Sequence, residues 1–105
     1  MPRKIVDYQS LRKLLDISVV EIATAVGVTV PYLEKHPKSE KIQQELKKIF
    51  RIYETLSKFG NKDISVWLRK PNEDYEGKSL LEIILAGKAE SVGGYIDEMN
   101  KGALS

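Results

Sequence analysis

Residues 39–60, SEKIQQELKKIFRIYETLSKFG, form the longest periodic stretch of the chain. Apolar side chains recur along it at the three- and four-residue spacing of one helical face, namely Ile42, Leu46, Ile49, Phe50, Tyr53 and Leu56. The spacing predicts a helix of about five turns. The other face has the basic composition of a solvated surface, with Lys41, Lys47, Lys48, Arg51 and Lys58. We expect this helix to be the spine of the molecule.

Shorter helices are predicted before the spine. Residues 8–16 place Tyr8, Leu11, Leu14 and Leu15 on one face. Ser18 followed by Glu21 is a capping box, which predicts a helix through Val26 that Gly27 ends by adopting positive φ. Thr29 can cap a third helix with its hydroxyl. Pro31 then lies in the first turn of that helix, where the N–H that proline lacks is not needed.

Residues 19–37 therefore have the layout of a helix-turn-helix, with small Ala23 at the crossing and Gly27 in the turn. In that interpretation the second helix faces DNA with Thr29, Val30, Tyr32, Lys35, His36 and Lys38. It lacks the Arg, Asn and Gln side chains that read base edges, so its basic residues would contact the phosphate backbone. The alternative is that these two helices serve packing alone.

Three helices are predicted after the spine. Asn61 caps a short one that contains Ile64, Trp67 and Leu68 and ends before Pro71. A turn-rich loop spans 71–77, and a second capping box, Ser79 with Glu82, opens a helix over 80–86 that Gly87 ends. The last helix spans 89–99. Because glycine is costly inside a helix, Gly93-Gly94 indicates either a break or another helix packed closely there.

No stretch shows the sustained alternation of a half-buried strand, so the predicted fold class is all-α. We expect a helix-turn-helix region with the spine helix over residues 1–60. A small helical region follows over residues 61–105. Residues 1–60 carry 11 Lys and Arg against 7 Asp and Glu, whereas 61–105 carry 6 against 8, giving charges of +4 and −2. The basic half suits a polyanion and the acidic half a different partner.

Composition excludes several classes of function. The 105 residues include no cysteine, so disulfides and thiolate chemistry are excluded, and His36 is the single histidine. No apolar run approaches the roughly 20 residues of a membrane span, and the start has no apolar stretch of signal-peptide length. The prediction is a cytoplasmic protein that is not an enzyme and needs neither metal nor cofactor. The weakest alternative is a metal-assisted hydrolase built on the loop carboxylates Glu73, Asp74 and Glu76, which without histidine partners are typical of a solvated turn.

A family resemblance lies in the second half. Residues 64–72 are ISVWLRKPN and residues 77–87 are GKSLLEIILAG, followed by Val92 and by Lys101-Gly102. This pattern resembles the toxin-binding domain of the Xre/MbcA/ParS antitoxins and covers about residues 62–102. Ser79 stands where the family usually has Pro, and both residues suit a helix start. The matching motif residues are Trp67, Leu68, Pro71, Asn72, Gly77 and Gly87, for which we expect structural roles: Trp67 in the core, Asn72 tying the loop, and the glycines in positive-φ turns.

The resemblance implies a type II antitoxin that binds a cognate RES-type toxin, whose own activity destroys NAD. Such antitoxins often repress the operon that they share with the toxin, as homodimers. For contact with the toxin we single out the last helix and tail: Tyr95, Glu98, Met99, Lys101, Leu104 and Ser105. The alternative function is a stand-alone helix-turn-helix transcriptional regulator without a toxin partner.

Overall fold

The fold is taken from a computed structural model that describes residues 5–58 and 63–104, with side chains of the last helix described as far as Glu98. The described residues form seven α-helices and one two-stranded ribbon. The helices are α1 (Tyr8–Leu15), α2 (Val19–Val26), α3 (Val30–Lys35), α4 (Glu40–Lys58), α5 (Ile64–Arg69), α6 (Leu80–Leu85) and α7 (Ala89–Leu104). The ribbon pairs β1 (Pro71–Asn72) with β2 (Lys78–Ser79). The predicted all-α class is confirmed, with this ribbon as a small addition.

The predicted capping box begins α2. The Glu21 N–H donates to Ser18 Oγ at 3.1 Å, and the Ser18 N–H donates to Glu21 Oε1 at 2.9 Å. Gly27 ends the helix at φ +86°, in the left-handed region that glycine occupies without strain. Thr29 then caps α3, since its Oγ1 accepts from the Tyr32 N–H at 3.3 Å. Ala23 on α2 and Leu33 on α3 are both buried. The assignment of the pair as a DNA-binding helix-turn-helix stays a prediction.

The start of α6 shows one half of the predicted capping box, since no reciprocal bond from the Ser79 N–H to the Glu82 side chain is found among the described residues. Ser79 Oγ accepts from the Glu82 N–H at 3.1 Å, and Gly87 follows the helix at φ +83°. For α5 the predicted cap, Asn61, lies outside the described residues, and Asp63 occupies the N-cap position of the helix.

The loop predicted over 71–77 contains more regular structure than expected. β1 and β2 pair antiparallel, with Pro71 opposite Ser79 and Asn72 opposite Lys78, on either side of a 3-10 turn, Glu73–Tyr75. The turn closes where the Gly77 N–H donates to the Asn72 carbonyl at 2.9 Å, with Gly77 at φ +84°. Strands of two residues are too short to show alternation, so the periodicity of the sequence could not reveal them.

The last helix is longer than predicted and unbroken. It continues through Gly93 and Gly94 to Leu104, so the predicted alternative of a break there is wrong. A Cβ built on either glycine would meet nothing within 4 Å, which also rules out close packing by another described segment of this chain.

The core is one cluster to which both predicted regions contribute. α4 is its centre and buries Ile42, Gln43, Leu46, Ile49, Ile52 and Leu56. Of the predicted apolar stripe, Phe50 and Tyr53 are only half-buried, whereas Ile52 was not expected in the core. α7 and α5 pack against this helix from one region, and α1 and α2 pack against it from the other. The described residues of both regions therefore share one core, and the division between residues 60 and 61 stays a prediction.

Within residues 5–58 and 63–104, no helix has both the length and the apolar composition needed to cross a membrane.

Candidate functional site

The residues predicted to face DNA surround α3, and most of them are solvent-exposed. Lys35, His36 and Lys38 are exposed, and Tyr32 exposes 47% of its surface. The Tyr32 and His36 rings lie side by side, with their centroids 4.9 Å apart. We call Tyr32, Lys35, His36 and Lys38 the α3 surface. It presents cationic and aromatic groups at the end of a short helix, a combination that can contact phosphate groups.

Two residues of the DNA prediction are already occupied within the chain. Val30 is half-buried and packs against the core, so it presents little surface to a ligand. The Thr29 hydroxyl oxygen caps α3 through the Tyr32 N–H. Lys41, from α4, adds a cation beside this region, because it lines a cavity of about 350 Å³ together with Val28, Thr29 and Tyr32.

The motif residues around 67–87 occupy structural positions. Leu68 is buried with 1% of its surface exposed, and Trp67 is half-buried against the core rather than enclosed in it. Gly77 and Gly87 both have positive φ, as predicted. Pro71 is exposed and opens β1, where it pairs with Ser79.

Asn72 ties the loop, as predicted, and it does so through three groups. Its Oδ1 accepts from the Asp74 N–H at 2.9 Å, its carbonyl accepts from the Gly77 N–H, and its Nδ2 donates to the Tyr95 hydroxyl at 3.1 Å. The Tyr95 hydroxyl in turn donates to Asp74 Oδ2 at 2.9 Å. We call Asn72, Asp74, Tyr75 and Tyr95 the loop clasp, because the Tyr75 ring also packs edge-on against Tyr95 at 5.4 Å.

The loop clasp changes the role expected of Tyr95. This side chain was predicted to contact a partner, but its hydroxyl is engaged by two side chains of the same chain. Its polar group therefore fastens α7 to the ribbon, and its contact with a toxin stays a prediction. No sequence signal links Tyr95 to positions 72 and 74, because Tyr95 reaches them only when α7 folds back on the ribbon.

The other predicted toxin contacts lie farther along α7. Glu98 is exposed. Met99, Lys101 and Leu104 continue the same helix as far as it is described, and Ser105 lies outside the described residues.

The seam between α4 and α7 is crossed by ion pairs. Across the seam, Lys48 Nζ lies 4.0 Å from Glu90 Oε2 and Arg51 Nη2 lies 3.6 Å from Asp97 Oδ2. Within α4, Lys48 Nζ also lies 2.9 Å from Glu45 Oε2. The hydrogen bond with Glu45 raises the pKa of Lys48. These exposed pairs flank a shallow groove of about 320 Å³ over Gly93 and Gly94. Surface pairs of this kind contribute little stability, so their effect is mainly on the charge pattern of the groove.

Two side chains that the sequence analysis did not single out hold these surfaces in place. Gln43 is buried on α4, where its amide bonds both backbone groups of Val6 and the carbonyl of Pro37. Arg69, within the family-like motif, donates to the carbonyls of Leu15 and Asp16 and so covers the C-terminal end of α1. Neither role follows from helical periodicity, which marks faces but not distant backbone partners.

Among residues 5–58 and 63–98, no three carboxylate or histidine side chains lie close enough together to hold a metal ion. The sequence matches none of the protein-family models and none of the curated proteins with which it was compared.

Proposed function

We propose that this protein is a type II antitoxin that acts in the cytoplasm, where it binds and neutralises a cognate RES-type, NAD-consuming toxin. The proposal starts from the resemblance of residues 62–102 to the toxin-binding domain of the Xre/MbcA/ParS antitoxins. The described surfaces offer exposed helices and loops suited to binding another protein. The NAD chemistry would belong to the toxin.

The loop clasp is the observation that best supports the proposal. Asn72, a motif residue, locks the ribbon against α7. Gly77 makes the turn before β2, and Gly87 makes the turn after α6. The motif therefore builds one compact unit around α5, the ribbon, α6 and the start of α7. That unit leaves Glu98 exposed on the second half of α7, the segment expected to meet the toxin.

Co-expression with the product of the adjacent gene tests the proposal. The toxin alone should arrest growth and deplete cellular NAD, and this protein should restore growth and co-purify with it. Growth arrest that this protein leaves unchanged would refute the proposal.

A charge reversal on α7 should separate toxin binding from folding. Glu98→Lys changes an exposed side chain for which no internal ion pair or hydrogen bond is found among the described residues. We expect it to weaken the complex about tenfold or more while the unfolding midpoint stays the same, since like charges brought together at an interface cost several kcal/mol. Glu34→Lys, the same change on α3, is the matched control and should leave toxin affinity unchanged. If both variants and the wild type bound the toxin with equal affinity, Glu98 would not be part of the interface.

The exposed α3 surface supports a second activity, repression of the shared operon by a homodimer. It also suits the alternative function, a stand-alone transcriptional regulator without a toxin. Binding to the promoter region of its own gene should weaken steeply as salt rises, because contacts to phosphates release counterions. DNA binding together with failure to neutralise any neighbouring product would favour the alternative.

The two activities should respond to different variants. Lys35→Glu replaces an exposed cation of the α3 surface by an anion, so it should weaken DNA binding at every sequence and leave toxin binding intact. Fluorescence anisotropy with promoter DNA and a pull-down with the toxin measure the two effects. Loss of both activities at once would indicate misfolding instead of a DNA contact.

A further inference from the structure

A largely apolar groove lies between α1 and α4, on a face that no other described segment covers. Its volume is about 510 Å³, and residues from the extended segment before α1, from α1 itself and from α4 line it. Ile5 and Leu14 expose 48% and 44% of their surface there, and Phe50 is half-buried at its floor. Exposed apolar side chains that share one groove mark a surface for a partner.

The charges along the groove have a self-complementary arrangement. Lys47 and Glu54 line it from α4, and both are exposed. Within the described residues neither side chain has an ion-pair partner. They lie seven residues apart, about 10 Å along the helix, with Phe50 between them.

This spacing suits a two-fold axis. When two copies of α4 pair antiparallel about an axis beside residues 50 and 51, residue 47 of one copy lies opposite residue 54 of the other. Lys47 then meets Glu54 of the second copy twice, once on each side of the axis, and the two Phe50 side chains meet near the centre. An interface of this isologous kind requires a surface that complements itself.

We propose that the face around the groove between α1 and α4 is the homodimer interface. The same face of a second copy covers it, and the two α4 helices run antiparallel. Gln43 supports one wall of this groove, because its amide holds the backbone of Val6 beside α4. The inference concerns the groove alone and does not depend on a toxin.

Charge reversal with rescue tests the pairing in the full-length protein. Lys47→Glu alone places two carboxylates opposite each other at both ends of the interface, and Glu54→Lys alone places two ammonium groups there. Each single variant should raise the dimer dissociation constant about tenfold or more, measured by sedimentation equilibrium. The double variant Lys47→Glu/Glu54→Lys restores opposite charges and should restore the wild-type constant.

The controls distinguish the interface from general effects of charge. Lys41→Glu changes an exposed lysine of the same helix that lies outside the groove, so it should leave the dimer intact. Phe50→Glu should yield monomers, with circular dichroism used to check that the helices remain.

Two results would overturn the proposal: a double variant whose dimer dissociation constant is as high as that of the single variants, or a wild-type protein that stays monomeric. A monomeric wild type that loses toxin binding on Phe50→Glu would instead assign the groove to the toxin. Normal dimers that fail to neutralise a toxin would leave the groove assignment standing and count only against the antitoxin function.

Discussion

Single side chains with distant backbone partners hold the candidate surfaces together. Gln43 fastens the extended segment before α1 to α4 through Val6, and Arg69 covers the end of α1 from α5. Each donates to at least one backbone carbonyl that is more than thirty residues away in the chain. Removing such a side chain would leave buried or partly buried backbone groups without partners, which costs more than the net value of the bonds themselves.

Asp7 is a residue whose contribution to stability should depend on pH. It is the N-cap of α1, where its Oδ1 accepts from the Gln9 N–H at 3.2 Å and its Oδ2 accepts from the Ser10 hydroxyl at 2.8 Å. The hydrogen bond from Ser10 is the largest cause that lowers the pKa of Asp7 from its ordinary 3.8. Because the folded-state pKa is lowered, the ionised carboxylate stabilises the fold above the ordinary value, and this stabilisation is lost as pH falls through the lowered value.

Asp7→Asn tests this linkage, because asparagine keeps a capping oxygen but removes the charge. At neutral pH the variant should be less stable by about 0.3–1 kcal/mol, the usual value of an anion at a helix N-terminus. Urea unfolding at several pH values above and below 3.8 should show the difference shrinking as the pH falls below 3.8. Asp16→Asn, at the opposite end of α1, is the control and should show no loss at neutral pH. A difference that stayed constant across the whole pH range would contradict the role of the charge.

At the scale of elements, the two glycines of α7 offer a direct test of helix energetics. Gly93 and Gly94 lie inside an unbroken helix without positive φ, and a Cβ on either would enter open space. Gly94→Ala should therefore stabilise the protein by about 0.5–1 kcal/mol, because alanine loses less conformational entropy on forming a helix. Urea unfolding monitored by circular dichroism measures the gain.

Gly87→Ala is the matched control for the glycine prediction. Gly87 has φ +83°, where a Cβ is strained whatever the space around it, so the same substitution should destabilise the protein. Equal effects of the two variants would show that the backbone conformation does not decide the sign.

The elements that could be predicted from sequence are those whose signals are local. Ser18 and Glu21 cap α2 within four residues, and Gly27 and Gly87 end helices through their own φ. The ribbon was missed because its strands are two residues long, and the loop clasp was missed because Asn72 and Tyr95 are distant in sequence. Of the candidate site residues, exposure could be anticipated at Lys35 and Glu98, whereas the engagement of the Tyr95 hydroxyl depends on tertiary contacts.

For the whole molecule, the shared core predicts cooperative unfolding. The side chains that pack around α4 come from both halves of the sequence, so neither half retains its buried surface when the other unfolds. Trp67, the single tryptophan, lies in the second half, and its fluorescence reports that half, whereas far-UV circular dichroism reports the helices of both. The two signals should give the same unfolding midpoint, as a two-state transition requires.

A substitution in α2 should shift both signals together. Val26→Ala removes buried apolar surface from the first half and should lower the free energy of unfolding by about 2 kcal/mol. Val20→Ala makes the same change on the same helix at a side chain that is 60% exposed, and it should be neutral or slightly stabilising, because alanine favours the helix. If Val26→Ala moved the circular dichroism midpoint and left the Trp67 midpoint unchanged, the halves would unfold separately. Equal shifts would instead show that both halves unfold in one transition, so a core substitution in either half weakens both. The variants designed to separate DNA binding from toxin binding must therefore be confined to exposed side chains.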